Sequence, residues 1–314
     1  MKLFIFCLLL LPCLFAAEPS RQQLAQDIES VWVNDILHAW YPRCVDEEFG
    51  GYLTRFDYQW QPLEPQHKMI VTQARHVWTA SKAAHEYPDD PRYRSAAEHG
   101  YHFLKQSMWD SVYGGFYQLC NQKGENITKG NEKTTYGNAF GLYGVSAYYE
   151  LTGDPGALDF AKEIFYWIDK HAHDPEHGGY FQNLRRDGSV LPRDAESELA
   201  SIAGLKDQNS SIHVLEAFTE LYRVWPDTLL KRRLTEMLLL IRDTITTDKG
   251  HMNLFFEADW TPISHKDSTE AYIRENYYID HVSFGHDVET AFLMLEASHV
   301  LGIENDERTL LVAR

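Results

Sequence analysis

The chain has 314 residues, 44% of them apolar and 13% aromatic, enough for one large domain or two ordinary ones with a substantial core. Its formal charge of −17 leaves no Lys/Arg excess to displace counterions from a polyanion, which argues against nucleic acid as a partner. Eight Trp and eighteen Tyr suit a protein that faces carbohydrate, although most such residues pack cores.

The first segment, residues 1–17, carries Lys2 and then an unbroken apolar run that is shorter than the roughly 20 residues a spanning helix needs. It reads as a secretory signal peptide, so that residues 18–314 are expected as one secreted or periplasmic domain with no membrane contact after cleavage. Cys7 and Cys13 leave with the leader. Cys44 and Cys120 remain, which rules out a disulfide framework and leaves room for one bridge.

A repeat follows. Asp46, Asp110 and Asp174 each open a run of Asp, three residues, Gly-Gly and an aromatic, and a degenerate fourth copy starts at Asp248. The Gly pairs and short alternating segments predict tight loops or β-hairpins. Between them, helical periodicity predicts elements over 21–40, 71–85, 91–109, 134–151, 155–171, 206–225, 229–246 and 284–301. Pro91 and Pro155 fall where a first helical turn tolerates proline. Helical hairpins with one decorated loop per repeat close most simply as an α/α toroid; an open α-solenoid is the alternative.

In a toroid, the helices beginning near 71, 134, 206 and 284 are equivalent and line one cavity. The first offers Arg75 and Trp78, the second Tyr136 and Asn138, the third Asn209, His213 and Glu216 on one face, and the fourth His286 and Glu289. Asp287 and Glu289 also suit a helix N-terminus simply as first-turn acids. His281, His286 and Glu289 lack the spacing of a metal site.

The segments TQARHVW, NSSIHVLEAFTELYRVWPD, HMNLFFEADW and SFGHDVE resemble the N-acylglucosamine 2-epimerase superfamily, and within it the branch that acts on cellobiose. The resemblance covers nearly all of residues 18–314. It implies an all-α (α/α)6 barrel with short β-hairpin loops, and inversion at C2 of a reducing-end sugar without metal or redox cofactor. It places Arg75, Tyr136, Asn209, His213, His286 and Glu289 at active-site positions, with His286, His213 and Arg75 expected to be catalytic and Tyr136, Asn209 and Glu289 to bind substrate; Glu216 and Trp78 join the substrate-binding set from their place on the helix faces toward the cavity. It also implies about three further helices, carrying a partner histidine and a tryptophan pair, beyond residue 314. An aspartate usual before the third inner helix is missing from ESELASIAGLKDQNSS. The substrate expected is a small disaccharide; N-acylglucosamine epimerisation, mannose isomerisation and a non-catalytic sugar-binding role are the other readings. An α/α-barrel glycosidase would instead need a pair of carboxylates.

Overall fold

A computed structural model describes residues 20–200, 202–303 and 305–314; the leader expected at 1–17 lies outside them. The chain divides into two compact units at Arg43/Cys44. In the first, α1 (Arg21–Ser30) is capped by the Ser20 hydroxyl, which accepts from the Gln23 amide, and continues through a π-helical turn into α2 (His38–Trp40).

The second unit is a succession of helical hairpins. Helices α3 (Ile70–Glu86), α5 (Thr135–Thr152), α7 (Gln208–Val224) and α10 (Phe284–Val300) pack side by side in chain order. Their antiparallel partners are α4 (Pro91–Phe103), α6 (Pro155–Ala172), α8 (Thr228–Leu240) and the short α11 (Glu307–Val312). Asp90, Asp154 and Asp227 cap α4, α6 and α8 by accepting amides of the first turn. Pro91 and Pro155 stand just inside, where a missing amide does no harm. α5 is buried on nearly every side, and Gly144 lets it meet the α3 backbone: a Cβ there would lie 2.8 Å from the Ala74 carbonyl oxygen. Helical periodicity predicted no element where the short α9 (Glu270–Glu275) forms. The described residues form no closed ring.

The expected hairpin loops form, and the two-residue strands pair between repeats. β1 (Lys68–Met69) pairs antiparallel with β2 (Leu119–Cys120), β3 (Lys133–Thr134) with β4 (Asn183–Leu184), and β5 (Lys206–Asp207) with β6 (Phe255–Phe256). Each two-residue strand just before an inner helix thus pairs with the hairpin of the following repeat. Within a hairpin only isolated bridges form, such as Trp109 with Phe116. The strands are too short to hold a hairpin alone, so they serve as inter-repeat ties.

Those ties are fixed by lysines. Lys206 is fully buried and donates to Asp174 Oδ2 at 2.7 Å, to the Gly178 carbonyl at 2.8 Å and to the Ala258 carbonyl of the next repeat at 2.6 Å. Lys68 repeats the pattern with Asp46, Gly50 and Gln122, and Lys133 repeats it with Asp110, Gly114 and Arg186. All three donors of each ammonium are used, which is what a buried charge requires. Burial alone would raise the aspartates, yet hydrogen bonds from lysine and backbone, led at Asp110 by one from Arg186, outweigh it and hold all three carboxyls below their usual range. The Gly-Gly turns let the loops close: Gly115 has φ +75°, and a Cβ there would lie 2.5 Å from the Trp167 ring.

The fourth copy shifts register. Thr246 bridges Met252 where Trp109 bridges Phe116, so Thr247, and not Asp248, holds the aspartate position. Cys44 and Cys120 are both free and buried, which removes the bridge that the sequence left open.

Candidate active site

The lysine ties set the register of the inner helices. Three residues after Lys68, Lys133 and Lys206 come Val71, Tyr136 and Asn209; after seven come Arg75, Phe140 and His213; after ten come Trp78, Tyr143 and Glu216. Offsets of 3, 7 and 10 keep one face of a helix, so equivalent side chains form layers across adjacent helices. α10 contributes His286 and Glu289 with the same His-x-x-Glu spacing as His213 and Glu216.

In the histidine layer, His213 is 2% exposed and its Nδ1 lies 2.8 Å from Glu216 Oε2. A carboxylate only accepts, so Nδ1 carries a proton, and in the neutral ring Nε2 is the nitrogen with the lone pair. The imidazole sits against Phe140, centroids 4.5 Å apart, and edge-on to Tyr136 at 5.3 Å. The Arg75 guanidinium lies 4.6 Å from the centre of the same Phe140 ring. Phe140 thus joins Arg75 to His213. Burial pushes the Tyr136 phenol above its ordinary value, against the Arg75 charge and a hydrogen bond with Asn209, which pull it down. Tyr136, Asn209, Arg75 and His213 therefore gather at one place.

His286 is half-buried, and its Nδ1 is enclosed with no hydrogen-bond partner among the described residues. Burial pushes this imidazole below its ordinary value; Glu289 opposes the shift and His213 adds to it. The neighbouring Asp287 plays a different part, since its carboxylate accepts the Met252 amide at 3.1 Å. Gln73 does the same for Tyr52 and Asn138 for Phe116, each at 2.8 Å. Asn138 and Asp287 are thus latches between helix and loop.

One layer deeper, Trp78 stacks on Tyr143 with centroids 5.1 Å apart, so one indole face is occupied, and Glu216 is engaged with His213. With Glu289 they border a cavity of about 490 Å³. Lys82 at its wall pairs with both Glu150 and Glu220. No cluster of three or more potential metal ligands occurs among the described residues.

Sequence reasoning missed Phe140, Tyr143 and Asp207. Asp207 is fully buried and caps α7 by accepting the Ser210 amide at 2.7 Å, while its Oδ2 has no partner. Burial raises its carboxyl to about 6. The offset from the lysines would have found the two aromatics, had the lysines been recognised.

Residues 51–314 match the family model described as N-acylglucosamine 2-epimerase (GlcNAc 2-epimerase). A curated cellobiose 2-epimerase of Bacteroides fragilis is 33% identical over 280 residues, 89% of this chain and 67% of that protein. The cellobiose 2-epimerase of Dictyoglomus turgidum is 31% identical over 84% of this chain and 62% of its own length. Among solved structures, the cellobiose 2-epimerase of Spirochaeta thermophila superposes with a TM-score of 0.79 at 28% identity, over 93% of this chain and 67% of that one. A D-mannose isomerase shares the fold, with a TM-score of 0.73 at 19% identity. The chain spans about two thirds of the length of these curated relatives. By the family model that covers residues 51–314 and by the 33% identity to the Bacteroides fragilis protein, this chain belongs to the N-acylglucosamine 2-epimerase family.

Proposed function

We propose that the protein is a sugar 2-epimerase that interconverts cellobiose and related β-1,4-disaccharides with their reducing-end C2 epimers. The observation that carries this reading is the pair of His-x-x-Glu motifs on the adjacent helices α7 and α10, with Arg75 and Tyr136 alongside His213.

Epimerisation requires the ring to open, the C2 proton beside the aldehyde to leave, and a proton to return to the opposite face. His286, kept largely neutral by its depressed affinity for protons, is the group that exchanges the C2 proton. His213, with Nδ1 committed to Glu216, presents Nε2 and assists ring opening by moving a proton on or off the sugar oxygens. When C2 loses its proton the electron pair moves onto the carbonyl oxygen, and Arg75 stabilises the resulting enediolate. Asn209, Tyr136 and Glu289 hold sugar hydroxyls, while Glu216 orients His213 and Trp78 packs on Tyr143 at the cavity wall. The leader at 1–17 directs export to a secreted or periplasmic location.

The test is incubation with cellobiose in deuterated water, followed by NMR at the reducing-end C2. Glucosyl-mannose bearing deuterium at C2 is the expected product. Release of free glucose would instead indicate a glycosidase, and no change a binding protein.

A further inference from the structure

His213 is oriented only as firmly as Glu216 is held, and Glu216 commits its Oε2 to that imidazole. Among the described residues Glu216 pairs with no lysine or arginine. The cation in reach is already claimed: Lys82 of α3 pairs with Glu220, one turn beyond Glu216 on α7, and also with Glu150 of α5. A glutamate turns about several bonds, so a single hydrogen bond leaves the plane of its carboxylate free to swing.

The second bond comes from α5. Trp78, Tyr143 and Glu216 are the members of one layer across α3, α5 and α7, directly below Arg75, Phe140 and His213. Tyr143 is buried, stacked on Trp78 at an interplanar angle of 13° and edge-on to Phe140 with centroids 6.3 Å apart, and its hydroxyl hydrogen-bonds Glu216. Burial, joined by the charges of Glu216 and Glu220, pushes this phenol well above its ordinary value and keeps it protonated. A carboxylate accepts, so the phenol donates. Its ring cannot swing away, because the indole covers one face and Phe140 abuts it. α5 therefore supplies both the ring that walls His213 and the hydroxyl that reaches the carboxylate behind it.

We infer that Tyr143 is a positioning residue for the reaction: it orients Glu216, and through Glu216 the imidazole of His213, without touching the sugar. The inference rests on the epimerase reading for its effect on rate, and on the Tyr143–Glu216–His213 geometry alone for the relay.

The experiment compares Tyr143→Phe, which removes the hydroxyl and keeps the ring on Trp78, with Glu216→Gln and the double variant, by C2 deuterium exchange in cellobiose, with thermal melts to confirm folding. Tyr143→Phe is expected to lower kcat about fivefold, to leave KM within about twofold, and to cost almost nothing further once Glu216 is already replaced, because the two act as a unit. Equal losses in both backgrounds, a change confined to KM, or no change overturn the inference. Should the unmodified chain exchange no sugar, the epimerase reading fails, and NMR of isotope-labelled histidine then judges the relay by itself. A His213 signal of the Nδ1–H form in the unmodified chain that becomes a mixture of tautomers in Tyr143→Phe supports it; the same tautomer in both overturns it.

Discussion

The two His-x-x-Glu motifs share a spacing and differ in almost everything else. His213 is buried, hydrogen-bonded through Nδ1 to Glu216 and walled by Phe140 and Tyr136. Among the described residues, His286 stands half-open with its Nδ1 unpartnered, on a helix whose preceding loop carries no lysine tie. α7 begins directly after the buried Lys206 and its three acceptors, whereas α10 follows a long segment and is tethered by the Asp287 latch to Met252. The contrast teaches that one motif yields two kinds of imidazole according to how firmly its helix is anchored. A hydrogen-bonded tautomer suits a positioned proton carrier, and a half-open ring with a depressed proton affinity suits the group that reaches the substrate carbon.

The division of labour breaks most decisively at His286. His286→Asn should abolish C2 exchange, a loss of at least about 10²-fold, the usual scale for a general base; retained activity removes His286 from the mechanism. Because its proton affinity is depressed, the neutral form accumulates as pH rises through a value below 6.5, so the acid limb of kcat should lie under that value. An acid limb above 6.5 contradicts the assignment.

The anchoring is tested by Lys206→Met. This leaves Asp174 as a buried carboxylate without its cation and should reduce stability by about 3–5 kcal/mol in urea denaturation. If stability is unchanged, the lysine ties are ornaments of packing and cannot explain the difference between the histidines.

Glu216→Gln frees the Nδ1 proton from its ionic partner, and should lower kcat roughly tenfold or more while KM stays within about twofold. A change confined to KM would return Glu216 to direct substrate binding.

The last effect, on stability alone, concerns Asp207. Its folded-state value of about 6 lies above the unfolded 3.8, so the native state binds the proton more tightly, and stability falls as pH rises from 3.8 through 6. Asp207→Asn keeps a good N-cap and should stabilise the fold by about 2 kcal/mol at pH 7, with the gain gone near pH 3.5. A gain that is independent of pH would place its cause elsewhere.

Much of this architecture could be read in the sequence because it repeats locally. The helices announced themselves through apolar period and through Asp-Pro starts such as Asp90-Pro91, and the Asp-to-Gly-Gly loops through glycines that only a left-handed turn requires. The lysines escaped notice because their separation from the aspartate they hold varies from 22 to 32 residues, and a lysine in a polar loop looks solvated. In the site, His213 and His286 stood out as ionisable groups on apolar helices. Phe140 and Tyr143 did not, since an aromatic at helical spacing resembles any core residue until its neighbours across the helix interface are known. Glu216 was seen but given to the sugar, because sequence spacing places it on the cavity face and does not reveal that the histidine one turn earlier claims it.

The lysine ties also impose a direction on assembly. Each ammonium takes two acceptors from its own repeat and the third from the repeat that follows: Lys68 from Gln122, Lys133 from Arg186, Lys206 from Ala258. A repeat is therefore electrostatically finished only when its successor has been built. On an emerging chain the third donor of each lysine has no protein acceptor until the next hairpin has been made, so the tie ahead of α7, which bears His213, is complete only once the segment carrying Ala258 has been added.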